Sequence, residues 1–390
     1  MTRDVMRALA EARPEEFGAA VDEATREAEI ARAMSASPRR TAVPARRRIR
    51  PMWGLGLVGA AAAAALVVAT AGTGPGDGGG TGDDGPTAGG SPSVQAPVAL
   101  NARTVLLAAA ERADGEPLAS GAYWRVATTS RLYYQVGTPA NGYTIVVTTR
   151  GEGWTPAKPR HKSYGSEQYL GARPATAADT AAWRRAGSPA SFEVEVPIAP
   201  GSKIRKPPTK LAAAPGKPQV NGSDLVDGDK VFWLGRNVTM KDLARLPSEP
   251  GALRTQLLRW YNGHSTESSS EPMGSDEWLF QVTRGLITDM PVTPKVRAGA
   301  FRMLAQLKSI KAVGPVVDGE GRTGTALVMT ERTGNGVLEH RVIVDEGAGR
   351  ALGNETVIVK PAGMNAHLPA GSKVSSSTIT EAAWTNTAPR

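Results

Sequence analysis

The chain has 390 residues, of which 41% are apolar and 21% are charged, with 44 Gly and 29 Pro. This length leaves room for a globular domain of about 250 to 300 residues and for further segments. The glycine and proline content is too high for an all-helical bundle. The lack of cysteine excludes disulfides, thiolate nucleophiles and Cys-based zinc sites. The net charge is +9, and the basic excess of residues 98–390 is spread over that whole segment without a basic stripe or an RNA-binding signature, so we expect no direct nucleic-acid binding.

Residues 1–50 are predicted to be a cytoplasmic tail that is partly helical and ends in an arginine cluster. Phe17, Val21, Ala24 and Ala28 recur at spacings of three and four residues, which places them on one face of a helix. So thin an apolar stripe cannot bury a core of its own. Two interpretations stay open: these four residues dock on a cytoplasmic partner, or the tail is solvated and only orients a membrane anchor.

Residues 51–71 are predicted to be a transmembrane helix. The run Met52–Ala71 carries no charge, and a helix of that length spans about 30 Å, the thickness of a bilayer's hydrocarbon core. Positive charge on one flank only keeps the N-terminus cytoplasmic and the C-terminal mass outside. The topology-determining residues are Arg39, Arg40, Arg46, Arg47, Arg48 and Arg50, with Trp53 at the inner interface. A signal peptide cleaved after Ala69-Thr70-Ala71 is the alternative, although the preceding polar segment is unusually long for one.

Residues 72–97 are predicted to be a flexible linker. The segment is rich in Gly and Pro among Thr, Ser and Asp, a composition that cannot form a packed core. Its root-mean-square span would be roughly 28 Å. The linker would therefore hold the following domain away from the membrane.

Residues 98–390 have the composition of a globular domain outside the membrane. Capping signals predict its helices: Thr176 with Asp179, Thr239 with Asp242, and the pair Thr293-Pro294. The predicted helical segments are Asn101–Ala113, Ala181–Ala186, a short turn after Thr239, a helix capped by Ser248 and stopped by Gly263, Asp276–Thr288, and a helix from Pro294 that buries Leu307.

Strand signals in the same domain form an early and a late group. The early strands are predicted at 122–130, 131–137 and 143–150, and the late ones at Lys311–Val317, Thr323–Arg332, Val337–Asp345, Ala351–Lys360 and Lys373–Ala382. The connections between the late strands are too short for helical crossovers, which indicates an antiparallel meander. We predict an α+β fold in which one curved antiparallel sheet carries helices on its inner face. The stretch from Gly151 to Lys230 is predicted to be mostly loop.

No motif in the sequence names a reaction. Walker A, H-E-x-x-H and EF-hand patterns do not occur, and Ser265 lacks the second glycine of a nucleophile elbow. The four histidines are widely separated, which favours structural or surface roles: His161, His264, His340 and His367. We therefore expect no catalytic residue, no cofactor and no metal site, and we predict that the protein is not an enzyme.

Four of the seven tryptophans in the domain allow two interpretations. These are Trp124, Trp233, Trp260 and Trp278. They would either line an apolar groove for an acyl chain between the sheet and the helices, or pack in the core. Core packing is the more economical interpretation.

Several segments resemble one protein family. MRALAEARP (Met6–Pro14), REAEIARAM (Arg26–Met34) and RPMWGLGL (Arg50–Leu57), with the Ala-rich run that follows, resemble uncharacterised single-pass membrane proteins of high-GC Gram-positive bacteria. DGEGRTGTAL (Asp318–Leu327) and IVDEGAGRAL (Ile343–Leu352) carry the same resemblance in the outer domain. Genes of this group often lie beside those of extracytoplasmic-function sigma factors, which implies an anti-sigma-like signalling role. The late strand pattern is also similar to the lipoprotein-carrier half-barrel class.

Two functional hypotheses follow. In the first, a single-pass protein of the cell membrane binds a ligand or protein outside and a cytoplasmic partner, such as a sigma factor, inside. In the second, the outer domain is an anchored carrier or binding module for an envelope lipid or lipoprotein, and the tail is passive. Both hypotheses make the lipid bilayer a partner through residues 51–71.

Overall fold

The computed structural model describes residues 98–138, 141–194, 208–266 and 272–389. The predicted tail, transmembrane helix and linker lie outside these ranges, together with the arginine cluster, Trp53 and the four docking candidates of the tail. None of the helices within the described ranges is both long enough and apolar enough to cross a bilayer.

One ten-stranded antiparallel sheet organises the described residues, with the strand order β1-β10-β11-β12-β13-β14-β2-β3-β4-β7. In chain order its strands are β1 (Val98–Leu100), β2 (Tyr123–Val136), β3 (Tyr143–Pro156), β4 (Ser163–Pro174), β7 (Gln219–Ser223), β10 (Lys311–Val317), β11 (Thr323–Thr333), β12 (Gly336–Asp345), β13 (Arg350–Pro361) and β14 (Lys373–Thr385). Two small two-stranded sheets pair β5 (Ser191–Val194) with β6 (Thr209–Ala212) and β8 (Lys230–Trp233) with β9 (Arg236–Thr239). The sheet is curved, which confirms the predicted α+β class with one large curved antiparallel sheet.

The described helices are α1 (Ala102–Asp114), α2 (Ala177–Arg185), α3 (Met240–Ala244), α4 (Pro250–Leu258), α5 (Ser275–Thr288) and α6 (Pro294–Leu304), followed by a short 3-10 turn at Gly363–Asn365. The capping boxes predict two of them correctly, because the Thr176 and Thr239 hydroxyls accept from the backbone N–H groups of Asp179 and Asp242. The predicted cap at Ser248 is wrong. The Glu249 carboxylate caps α4 instead, and Pro250 occupies the first helical position.

The five strands of the late meander form as predicted, with ends that differ by three residues at most. Two early predictions are wrong. Residues 122–130 and 131–137 form one continuous strand, since Ser130 and Arg131 pair without interruption to Thr149 and Thr148 of β3. The stretch from Gly151 to Lys230 is not mostly loop. It contains the end of β3 as well as β4, α2, β5, β6 and β7. β4 shows no clean alternation of apolar residues, and its ladder with β3 stabilises it as a strand.

The helices cover one part of the sheet's inner face, defined as the face that carries Leu327 and Val342. Buried side chains of α1 and α3–α6, among them Leu106, Leu286 and Phe301, form one apolar cluster with those two strand residues. Burial of these large side chains supplies the main stabilisation of the helical layer.

A second cover lies on the far part of the same face. Phe192 and Leu211 of the β5–β6 sheet pack on Val136 and Ile145. Strand β2 links the two regions, because its alternate residues run from Trp124, beside Met240 of α3, to Val136 on one face. The two covers flank the middle of the inner face.

Candidate functional site

Small polar side chains line the middle of the inner face, in a region that we call the trough. One row of directly opposed residues crosses four strands, from Asn354 through Ser377 and Ser130 to Thr149. Opposed residues of an antiparallel pair share a face. Thr128 on β2 and Ser375 on β14 flank this row on the same face. These six residues define the trough.

The polar groups of the trough are accessible and largely unused. All six side chains are half-buried. Thr128 donates to the Gly151 carbonyl at 3.5 Å, whereas the other five make no side-chain hydrogen bond to any other described residue. Buried polar groups are normally paired, so unpaired groups at the edge of solvent are free to bind water or a ligand.

The floor of the trough is uncharged, and the opposite face of the same strands is strongly charged. On the outer face Arg125 binds Glu152 and Glu381, and Lys373 binds Glu355 at 2.6 Å. The hairpin turn between β10 and β11 also closes over that face, where Arg131 reaches its Gly319 carbonyl at 2.8 Å and its Glu320 carboxylate at 2.9 Å. The inner face therefore offers a ligand hydroxyl and amide groups, whereas the charged groups of the outer face are already paired with one another.

One carboxylate lies at the side of the trough. Glu167 of β4 is directly opposite Gly151 of β3, which is itself opposite Thr128. Glu167 is half-buried, and it makes no hydrogen bond or ion pair with any described residue. Burial raises the pKa of the Glu167 carboxyl above its ordinary value. A Cβ at Gly151 would meet only the Thr128 hydroxyl, at 3.3 Å, so space remains beside the carboxylate.

Two tyrosines border the trough on the side of the β5–β6 cover. Tyr169 is opposite Thr149, and its hydroxyl donates to the Ala212 carbonyl at 2.6 Å. Burial, together with the nearby Tyr134, raises the pKa of Tyr169 to about 12. Burial also raises the pKa of Tyr134, whose side chain is half-buried beside the second apolar cluster. Both rings therefore remain neutral at physiological pH and present aromatic surface.

A buried polar cluster lies beneath α5, on the helix side of the trough. The His340 Nε2 and Glu331 carboxylate are 2.7 Å apart, and the Thr356 hydroxyl is 3.4 Å from His340 Nδ1. Glu331 and His340, together with Arg284, line a small cavity of about 20 Å³. That volume holds about one water molecule. The cluster is therefore a structural polar centre of the core and too small to admit an organic ligand.

The tryptophans named from the sequence lie in the core or pack against it. Trp124, Trp233 and Trp278 are buried, and the Trp124 indole donates to the Asp289 carbonyl at 2.6 Å. Trp260 lies under the Arg236 guanidinium, 4.8 Å from the ring centre. These positions agree with core packing and do not bring the four rings together around one groove.

The histidines do not converge. His340 is buried against Glu331, His264 contacts the Ser265 carbonyl, and His161 is exposed in the turn between β3 and β4. Over the described ranges, no three His, Asp or Glu side chains are placed to hold a metal ion.

The trough was not predicted from the sequence. Its signal is a run of consecutive hydroxyl residues on each of two strands, 375–378 on β14 and 128–130 on β2. Only the strand register shows that the two runs are opposed.

Comparison with known proteins adds no assignment, since no family model, curated protein or solved structure matches the chain.

Proposed function

We propose that the protein is a single-pass, non-enzymatic protein of the cell envelope whose outer domain binds a polar ligand in the trough. In this proposal residues 51–71 cross the membrane, and the 1–50 tail engages a cytoplasmic partner in an anti-sigma-like signalling role. The observation that carries the ligand site is the row Asn354–Ser377–Ser130–Thr149, four neutral polar side chains that are half-buried and unpaired in the described chain.

The position of this row supports binding rather than fold stability. The row lies between the two covers, so its side chains do not stabilise the sheet through packing against either of them. Hydroxyl and amide groups there contribute little burial energy. A polar row with no internal partners is accounted for if a ligand supplies the partners.

The signalling part of the proposal rests on the sequence. The one-sided arginines and the charge-free run support a membrane anchor. The resemblance to proteins encoded beside sigma factors supports a cytoplasmic regulatory partner, for which Phe17, Val21, Ala24 and Ala28 are the docking candidates.

The second candidate function, an anchored carrier for lipid or lipoprotein, is favoured by one architectural observation. A single curved antiparallel sheet with helices on one face is the arrangement that a half-barrel carrier would need. An acyl ligand requires an apolar cavity, whereas the trough floor is polar. We therefore rank this function second.

The ligand site is tested with a pair of β3 variants of the full-length, detergent-solubilised protein. Thr149→Gln places a longer side chain in the trough, and Thr148→Gln makes the same change on the outer face of the same strand. Thermal shift against a panel of sugars, peptides and lipids identifies a ligand, and titration then measures its affinity. We expect Thr149→Gln to weaken binding by about tenfold or more and Thr148→Gln to leave it unchanged. Equal affinities in the two variants would contradict the site.

A further inference from the structure

The chemistry around Glu167 narrows the ligand class of the trough, and this inference rests on the function proposed above. The carboxylate is half-buried and has no described cation or donor beside it. Desolvation without a partner costs free energy. A positively charged group of a ligand in the space over Gly151 would offset that cost through a charge-assisted hydrogen bond.

The shape of the trough favours a short chain of rings. The row from Asn354 to Thr149 crosses four neighbouring strands, a distance of about 14 Å at the usual strand spacing. Tyr169 lies directly beyond Thr149, and Tyr134 is close to it. Flat aromatic surface packs well against the apolar faces of sugar rings, and hydroxyl and amide side chains match sugar hydroxyls.

An extended peptide fits this site less well. Peptides bind sheets mainly at an edge, where free backbone N–H and C=O groups accept another strand. The trough lies on β13, β14, β2 and β3, which are central strands paired on both sides. Only side chains are available there, and the side chains on the floor are hydroxyls and one amide.

We propose that the trough binds an oligosaccharide bearing a free amino group, and that Glu167 binds its ammonium. The sugar hydroxyls then pair with Asn354, Ser377, Ser130 and Thr149. The ring nearest to β4 packs on Tyr169 and places its amine over Gly151, within reach of the carboxylate. Glu167 acts as a specificity-determining residue that distinguishes an amino sugar from the N-acetylated sugar of the same length.

The test titrates two probes, a β-1,4-linked glucosamine tetramer and its fully N-acetylated counterpart, into the full-length protein in detergent. We expect the wild type to bind the free amine at least about tenfold more tightly, the usual size of a charge-assisted contact. Glu167→Gln should reduce this preference to about twofold or less. Glu193→Gln, at an exposed carboxylate of β5, is the matched control and should keep it.

The outcomes separate this inference from the proposed function. If both tetramers bind equally and Thr149→Gln weakens both, the role of Glu167 is wrong and the trough remains the site. If neither tetramer binds while another member of the ligand panel does so in a Thr149-dependent way, the oligosaccharide class is wrong. A lysine-containing peptide that binds with the same Glu167 dependence, in place of the sugar, would also overturn it.

Discussion

The packing of α6 against the chain before α4 can be tested at a single glycine. Gly299 lies in the interior of α6, where alanine would ordinarily favour the helix by up to about 1 kcal/mol. A Cβ at position 299, however, would lie 2.2 Å from the Ser248 carbonyl oxygen and 2.9 Å from the Ser248 carbonyl carbon. These are backbone atoms, and the helix or the segment would have to move by about 1 Å to relieve the contact.

Gly299→Ala should therefore destabilise the domain in spite of its better helix propensity. Overpacking of a close-packed core costs about 1 to 3 kcal/mol, and the gain in propensity offsets part of that cost. We expect a net loss of about 1 to 2 kcal/mol in the free energy of unfolding. Urea denaturation followed by tryptophan fluorescence measures this loss, and the m-value reports whether the surface exposed on unfolding changes.

Gly285→Ala is the matched control within the helical layer. Gly285 lies in α5, and a Cβ there would meet the terminal methyl of Met290 at 2.3 Å. Because the end of a methionine side chain can rotate away, we expect a change within about 0.5 kcal/mol of zero. If Gly299→Ala were as stable as Gly285→Ala, the close approach of α6 to Ser248, and with it the placement of the helical layer, would be refuted.

Three further predictions concern the buried carboxyl of Asp289, the contacts of Arg322 and the cytoplasmic tail. Burial raises the pKa of the Asp289 carboxyl, so the stability that this residue contributes is present below about pH 4 and is lost as the pH rises through its folded-state pKa. The Tm of the wild type should therefore fall relative to that of Asp289→Asn as the pH rises above about 4. Parallel Tm–pH curves for the two proteins would contradict this. Arg322 binds the buried Asp318 carboxylate at 2.8 Å and donates to backbone carbonyls of β13 and β14. Arg322→Ala should therefore lower the free energy of unfolding by about 1.5 to 3 kcal/mol, measured by urea denaturation. A loss no larger than that caused by replacing an exposed arginine would contradict this prediction. Phe17→Asp with Val21→Asp in the full-length chain should abolish co-purification of a cytoplasmic partner, whereas retained capture would favour a passive tail.

The late strands were predictable because local signals and register agree there. The residues from Lys311 to Ala382 carry alternating apolar positions separated by glycine turns, and each strand pairs with its neighbour in sequence. Capping chemistry located α2 and α3 for the same reason: the hydrogen bonds of a cap lie within three residues of each other.

The errors arose where non-local pairing decides the structure. Ser163–Pro174 contains polar residues and two glycines at positions that suggest a loop, yet it is a strand because β3 provides its ladder. The trough depends on the pairing of β14 with β2, whose partners are separated by about 250 positions in sequence. No local pattern reveals that Ser377 and Ser130 are opposed. That Glu167 has no described partner could not be predicted either, because it depends on every side chain that the fold places around the carboxylate.

The central claim is that residues 98–390 act on the outside of a membrane that residues 51–71 cross. Protease treatment of intact cells that carry one tag at each end of the chain tests this claim most directly. The account predicts that the C-terminal tag is digested and the N-terminal tag survives until the cells are lysed. Protection of both tags, or release of a chain that begins near Gly72 into the medium, would contradict it.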